Sequence, residues 1–200
     1  MKSKLLNAVK ASSTGLRLLS ALALLLALSV GMSSRASAVI DPEEMNSIYS
    51  INNPNECLDV TGGGYKAIPN NVPIEQWGCH GTSNQLWRTR AIPERPGFYY
   101  LVSVNSGRCL TVPNASKEKG KQLIQYDCQL GVGQQWFFWD DQARYPGMGK
   151  LIISRNGDGT AANPWMCVDV SGAVSYNGAP VIQWPCFFDN NHMNQQWGWR

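Results

Sequence analysis

Gln195-Gln196-Trp197, followed by three residues in the sequence, repeats a pattern already met at Gln85-Leu86-Trp87 and Gln134-Gln135-Trp136, a Gln two residues before a Trp. Upstream of each lie two further marks at similar distances, a Cys opening one strand-like run and a Cys closing another. The first set is Cys57-Leu58-Asp59-Val60 with Ile74-Glu75-Gln76-Trp77-Gly78-Cys79. The second is Cys109-Leu110-Thr111-Val112 with Leu123-Ile124-Gln125-Tyr126-Asp127-Cys128, and the third Cys167-Val168-Asp169-Val170 with Val181-Ile182-Gln183-Trp184-Pro185-Cys186. A unit of roughly fifty residues occurring three times governs the fold before any local propensity does.

Each copy reads as about four short strands. Ser47-Ile48-Tyr49-Ser50-Ile51 alternates and is stopped by Asn52-Asn53-Pro54-Asn55, and Leu58-Asp59-Val60 is stopped by Thr61-Gly62-Gly63-Gly64. Helical periodicity is absent beyond the N-terminal leader. The third copy is longer from Asn156 to Trp165 and from Phe187 to Met193, extra lengths expected in surface loops. A propeller needs about four to eight such units. Three units, each unable to bury its apolar face alone, predict a closed assembly about a pseudo-threefold axis.

The N-terminus carries Lys2, Lys4, Lys10 and Arg17, then a Leu- and Ala-rich run from Leu18 to Val30 and the small residues Ala36-Ser37-Ala38. This predicts a secretory signal peptide over 1–38. The apolar run is thirteen residues, short of the roughly eighteen a membrane span requires. Five of the seventeen Lys and Arg residues fall in the leader and no acidic residue does, leaving twelve basic against fourteen acidic residues. No basic stripe for nucleic acid survives. Lys117, Lys119 and Lys121, with Glu118 among them, read as a solvated loop.

All six Cys lie beyond the leader, two to a copy. In an exported chain such a set reads as disulfides. The repeat selects Cys57 with Cys79, Cys109 with Cys128 and Cys167 with Cys186, each closing a loop worth about 3 kcal/mol on a chain-entropy account. Zinc is disfavoured: no C-x-x-C pair occurs, and His80 and His192 are the sole histidines. No metal or other cofactor is expected.

Three copies of Cys-apolar-Asp/Thr-Val, the second Cys and Gln-x-Trp, in phase, resemble the ricin B-type lectin family. The resemblance implies an all-β β-trefoil over 47–200, with repeats of about 47–93, 94–145 and 146–200 after a lead-in over 39–46. Trp87, Trp136 and Trp197 are then expected as a symmetric core, each indole N–H needing one partner. Gln134 is expected to serve the scaffold, as are Gln85 and Gln195, by bonding loop backbone from the same strand face as the Trp.

A sugar offers a C–H face to an aromatic ring and a rim of hydroxyls to fixed acceptors and donors. The resemblance places a galactose-type pocket at the Asp of the Cys-x-Asp strand, the aromatic two before the second Cys and the Asn before Gln-x-Trp. In the first repeat these are Asp59, Trp77 and Asn84, with Gln85 beside them; in the third, Asp169, Trp184 and Asn194, with Gln195. The second repeat has Thr111 and Gly133 instead, keeping only Tyr126, and is expected to be structural. Glu75 should face the first pocket as an acceptor, and Ile182, its counterpart, should leave the third weaker. Asp59 with Glu75 is the one carboxyl pair of use to glycoside hydrolysis, in a solvent-facing setting without an evident acid, and no triad or phosphate loop occurs. The expectation is a secreted, non-catalytic lectin whose partners are glycans. The alternatives are the glycan-targeting subunit of a multi-chain toxin or polysaccharide-degrading enzyme, paired with a catalytic chain, and a protein-binding inhibitor.

Overall fold

The computed structural model of the protein describes residues 44–200, so the expected leader lies outside the described residues. Twelve strands occur among them: β1 (Met45–Ser50), β2 (Glu56–Val60), β3 (Ile74–Gly78), β4 (Leu86–Ala91), β5 (Tyr99–Ser103), β6 (Cys109–Thr111), β7 (Ile124–Tyr126), β8 (Trp136–Trp139), β9 (Lys150–Ser154), β10 (Met166–Val170), β11 (Ala179–Pro185) and β12 (Gln196–Trp199). The remaining regular pieces described are short 3-10 turns. β1 starts earlier than expected, because Met45 and Asn46 are needed to pair with Arg88 and Trp87. The lead-in therefore gives its last two residues to the first strand.

Six strands close a ring: β1 pairs with β4, β4 with β5, β5 with β8, β8 with β9, β9 with β12 and β12 with β1, all antiparallel. Closure leaves this barrel no free edge. The other six form three hairpins, β2–β3, β6–β7 and β10–β11, in one register: Cys57 faces Trp77, Cys109 faces Tyr126 and Cys167 faces Trp184. The hairpins meet through β3 with β11 and through the bridges Pro73 to Ile124 and Gln122 to Ile182. The result is a β-trefoil, as expected.

Trp87, Trp136 and Trp197 are almost fully buried. Each indole N–H crosses from the barrel to its own repeat's hairpin, donating to the carbonyl oxygen of Leu58, Leu110 or Val168 at 3.0, 3.1 and 3.0 Å. One side chain thus supplies apolar area and a satisfied polar link at the barrel–hairpin seam. Leu58, Leu110 and Val168, with Ile74, Leu123 and Val181, complete the same cluster. Three disulfides, Cys57–Cys79, Cys109–Cys128 and Cys167–Cys186, tie the first strand of each hairpin to a Cys one or two residues beyond the second.

The Gln of each Gln-x-Trp departs from expectation in one respect. Gln85, Gln134 and Gln195 end the 3-10 turns Ser83–Gln85, Val132–Gln134 and Met193–Gln195, ahead of the barrel strand. From there each amide lies against the end of the hairpin. Their carbonyl oxygens accept the backbone N–H just past the second Cys, from His80, Gln129 and Phe187, at 2.8, 2.6 and 2.9 Å.

Candidate functional site

The first-repeat pocket forms where β2, β3 and the turn before β4 converge. Asp59 is only 3% exposed. Its carboxylate accepts from Asn84 Nδ2 at 3.0 and 2.9 Å and from Gln85 Nε2 at 2.8 Å. Asn84 is itself fixed, since its Oδ1 accepts from the Thr82 hydroxyl at 2.6 Å and its Nδ2 also reaches the Val60 carbonyl. The amide expected to meet a ligand is thus largely engaged in aiming the carboxylate. Glu75 stands opposite Asp59 across β2–β3. His80 brings Nε2 to 3.7 Å from Asp59 Oδ2. Trp77 is 40% exposed, an indole with a free surface. Asp59, Glu75, Trp77, His80 and Asn84, with Thr61, Gly62 and Gly63, enclose a cavity of about 400 Å³.

The third-repeat pocket repeats the plan. Asp169, 4% exposed, accepts from Asn194 Nδ2 and Gln195 Nε2, both at 2.9 Å. Ile182 faces Asp169 where Glu75 faces Asp59. Trp184, Phe187, His192, Asn194 and the Ser171–Ala173 turn complete a cavity of about 370 Å³. His192 stacks on Phe187, centroids 3.7 Å apart, and its Nδ1 lies 2.9 Å from Asp189.

Burial pushes Asp59 up to about 7, Glu75 adding to the shift and the Gln85 and Asn84 bonds opposing it. Burial likewise pushes Asp169 up to about 6, opposed by Gln195, Asn194 and the charge of His192. Burial raises Glu75 as well. Carboxyls desolvated this way are costly to ionise, and accepting further hydrogen bonds from a ligand favours the charged form.

The second repeat also has a hollow, of about 470 Å³, lined by Thr111, Pro113, Ala115, Tyr126, Gln129 and Gly133 among others. It contains no carboxylate. Gln134 donates instead to the Thr111 hydroxyl at 2.9 Å.

Sequence reasoning missed how the repeats lock together around these pockets. Gln76, Gln125 and Gln183, fully buried at the middle of β3, β7 and β11, each donate from Nε2 into the loop of a neighbouring repeat. Gln76 reaches the carbonyls of Val174 and Tyr176, Gln125 those of Ala67 and Pro69, and Gln183 those of Ser116 and Glu118. The same loops return a backbone bond, from Gly178, Asn71 and Gly120 to the carbonyls of Gln76, Gln125 and Gln183. Gly178 and Gly120, at φ 84° and 82°, take the left-handed conformation that glycine holds without strain. A Cβ at either would come within 3.8 or 3.6 Å of the Trp77 or Trp184 ring. A neighbouring repeat's loop therefore lies close to the Trp77 and Trp184 rings. The signal was present, a Gln at the centre of three apolar strands.

Among the described residues, no cluster of three or more His, Cys, Asp or Glu is placed to hold a metal ion, and no helix is long and apolar enough to cross a membrane.

A closed six-stranded barrel capped by three hairpins, with a buried carboxylate in the same hollow as an indole, exposed at Trp77 and half-buried at Trp184, in two of its three repeats, defines the β-trefoil lectin class. Residues 84–184, half of the chain, match the ricin-type beta-trefoil lectin domain-like family model, and the chain belongs to that family. It is 34% identical over 122 residues to a cytolysin of Vibrio vulnificus, an alignment covering 60% of this chain and 22% of that protein. The chain thus spans about a fifth of the relative it matches. Among solved structures, the β-trefoil lectin of the V. vulnificus hemolysin/cytolysin with N-acetyl-D-lactosamine bound superposes with a TM-score of 0.53 at 26% identity, covering 78% of this chain and 92% of that one. An exo-β-1,3-galactanase from Clostridium thermocellum gives 0.66 at 29% identity, with 80% and 30% covered.

Proposed function

We propose that the protein is a secreted, non-catalytic lectin that binds galactose-type sugars through its first- and third-repeat pockets. One observation carries this reading: both pockets set a buried carboxylate, aimed by Asn and Gln donors, in one hollow with an indole, exposed at Trp77 and half-buried at Trp184. The carboxylate accepts from adjacent hydroxyls while the indole covers the ring's C–H face. The relatives support the sugar class, one being solved with N-acetyl-D-lactosamine, whose non-reducing sugar is galactose. Asp59 and Glu75 serve as acceptors here, with no step of bond cleavage assigned to them. The leader and the three disulfides support export.

Single sites this open bind in about the millimolar to micromolar range, and two on one body gain by avidity on a dense glycan surface. A glycan array probed with the oxidised protein, beside Asp59→Ala and Asp169→Ala, tests the proposal. Galactose-terminated glycans should be retained by the parent, weakened by either change and lost with both. Retention by the double variant would remove the assignment.

A second reading follows from the Vibrio cytolysin. Because the aligned segment is 22% of that protein, the same sites would serve as the targeting part of a toxin or of a polysaccharide-degrading enzyme, with catalysis or lysis supplied by a partner. Co-purification from the source with a second chain, lost on elution with galactose, would favour it.

A further inference from the structure

The three pockets differ at one loop position that the fold makes equivalent. The residues preceding Gly178, Asn71 and Gly120 are Asn177, Asn70 and Lys119, since those three make the same backbone bond to Gln76, Gln125 and Gln183. Asn177 Oδ1 accepts from the Gly78 N–H at 2.8 Å, and Asn70 Oδ1 from the Asp127 N–H at 2.9 Å. The donor is in both cases two residues beyond the strand Gln. In the third hairpin that position is Pro185, which has no N–H to give. The acceptor is not needed, and Lys119 takes its place with the ammonium over the Trp184 ring, 5.6 Å from the centroid.

The loop carrying Lys119 is held on both sides. Gly120 donates to the Gln183 carbonyl at 2.8 Å, and Gln183 donates back to Lys121 at 2.9 Å. The neighbouring lysines are engaged elsewhere: Lys121 pairs with Glu118 at 3.5 Å and Lys117 bonds the Asn156 carbonyl. Lys119 is exposed and has neither kind of partner. Across the pocket, Ile182 replaces the Glu75 carboxylate of the first repeat. The third pocket thus has one buried carboxylate and an ammonium over its indole, whereas the first has two carboxylates and an asparagine at the equivalent loop position.

Resting on the galactose-type reading above, we propose that Lys119 makes the third-repeat pocket a site for anionic saccharides, sugars whose hydroxyls meet Asp169 and whose carboxylate or sulfate lies at the rim against the ammonium, while the first pocket selects neutral ones. The sulfate and the carboxylate offer the same charge chemistry to a lysine, which binds as a point charge without the planar preference of an arginine.

Calorimetric titration of Asp59→Thr, which silences the first pocket with the second repeat's own residue, separates the arms. The probes are galactose, galactose sulfated on its exocyclic oxygen, and galacturonic acid, at low salt and at about 0.5 M salt, where the Debye length falls to a few ångströms. One or both anionic sugars should bind about threefold to tenfold tighter than galactose at low salt, an exposed charge pair's scale. The ratio should approach one at high salt and in Asp59→Thr/Lys119→Asn. Galactose binding with no anion preference, or a preference that survives Lys119→Asn, overturns this inference and leaves the galactose reading standing. Binding of none of the three sugars overturns both.

Discussion

The first and second repeats place the same amide in the same position and give it different partners. Gln85 donates to the Asp59 carboxylate at 2.8 Å, and Gln134 to the Thr111 hydroxyl at 2.9 Å. Both accept from the backbone beyond the second Cys, and both precede a buried Trp whose N–H crosses to the hairpin. The scaffold therefore asks for one oxygen at this point, and a neutral hydroxyl supplies it. A carboxylate buried to 3% exposure costs desolvation that the hydroxyl avoids. Asp59, and Asp169 with it, are more than the fold requires, an excess that the proposed sugar sites account for.

The largest expected effect breaks what the repeats share. Trp136→Ala, in the repeat without a carboxylate, should cost about 3–5 kcal/mol of stability, read from denaturant midpoints, and one transition should move as a whole because the barrel closes through β8. Trp77→Ala should stay within about 1 kcal/mol in the same assay, its ring being 40% exposed, while galactose affinity drops. A reversed order would mean that the exposed indole is the structural one.

Next comes Asp59→Thr, which writes the second repeat's residue into the first. The protein should unfold cooperatively as before, with first-site affinity reduced about tenfold to a hundredfold, the scale of losing hydrogen bonds to a charged acceptor. The reverse graft is blocked. A Cβ on Gly133 would lie 2.8 Å from the Val112 carbonyl oxygen and 3.2 Å from Ala115 Cα, so the Asn found in the other two pockets does not fit beside the 113–115 turn. Thr111→Asp/Gly133→Asn should lose about 2 kcal/mol in thermal unfolding and gain no galactose binding. Recovery of a third working site would show that the second repeat lacks only its side chains.

Much of this was legible in the sequence because it is written three times. Trp87, Trp136 and Trp197 and the three Cys pairs each occur once per copy, and equal spacing in a chain closed on itself becomes equal position in space. What escaped is relational. Gln76, Gln125 and Gln183 bond a different repeat's loop, and nothing in linear order says that β3 meets the 174–178 loop while β11 meets the 116–120 loop. The pairing of Lys119 with Trp184 is a product of that cyclic offset, which is why the lysine trio read as a solvated loop. Asn84 was legible as a pocket residue, yet its bonds to Asp59 and Thr82 depend on the 3-10 turn of 83–85 rather than on a strand.

The smallest effect sharpens the contrast between the two carboxylate pockets. Burial pushes Asp59 up to about 7 and Asp169 up to about 6, and the pockets differ in that Glu75 faces the first and raises Asp59 further while Ile182 faces the second and the charge of His192 lowers Asp169. A protonated carboxyl keeps one acceptor oxygen but loses the charge that strengthens bonds from hydroxyls, so binding follows the ionised fraction. Galactose titrations of Asp169→Thr, reporting the first pocket, and Asp59→Thr, reporting the third, should both be level at alkaline pH. The first should then weaken as pH falls through about 7, approaching tenfold per unit, and the third should hold until about 6. Stability runs the opposite way. Because the folded Asp59 carboxyl sits above its ordinary 3.8, what it contributes to stability is present below that value and lost as pH rises through about 7, so Asp59→Thr should gain on the parent between those limits. Coincident binding profiles, or a third pocket that fails first on acidification, would detach both carboxylates from their neighbours Glu75 and His192 and leave the two pockets electrostatically alike.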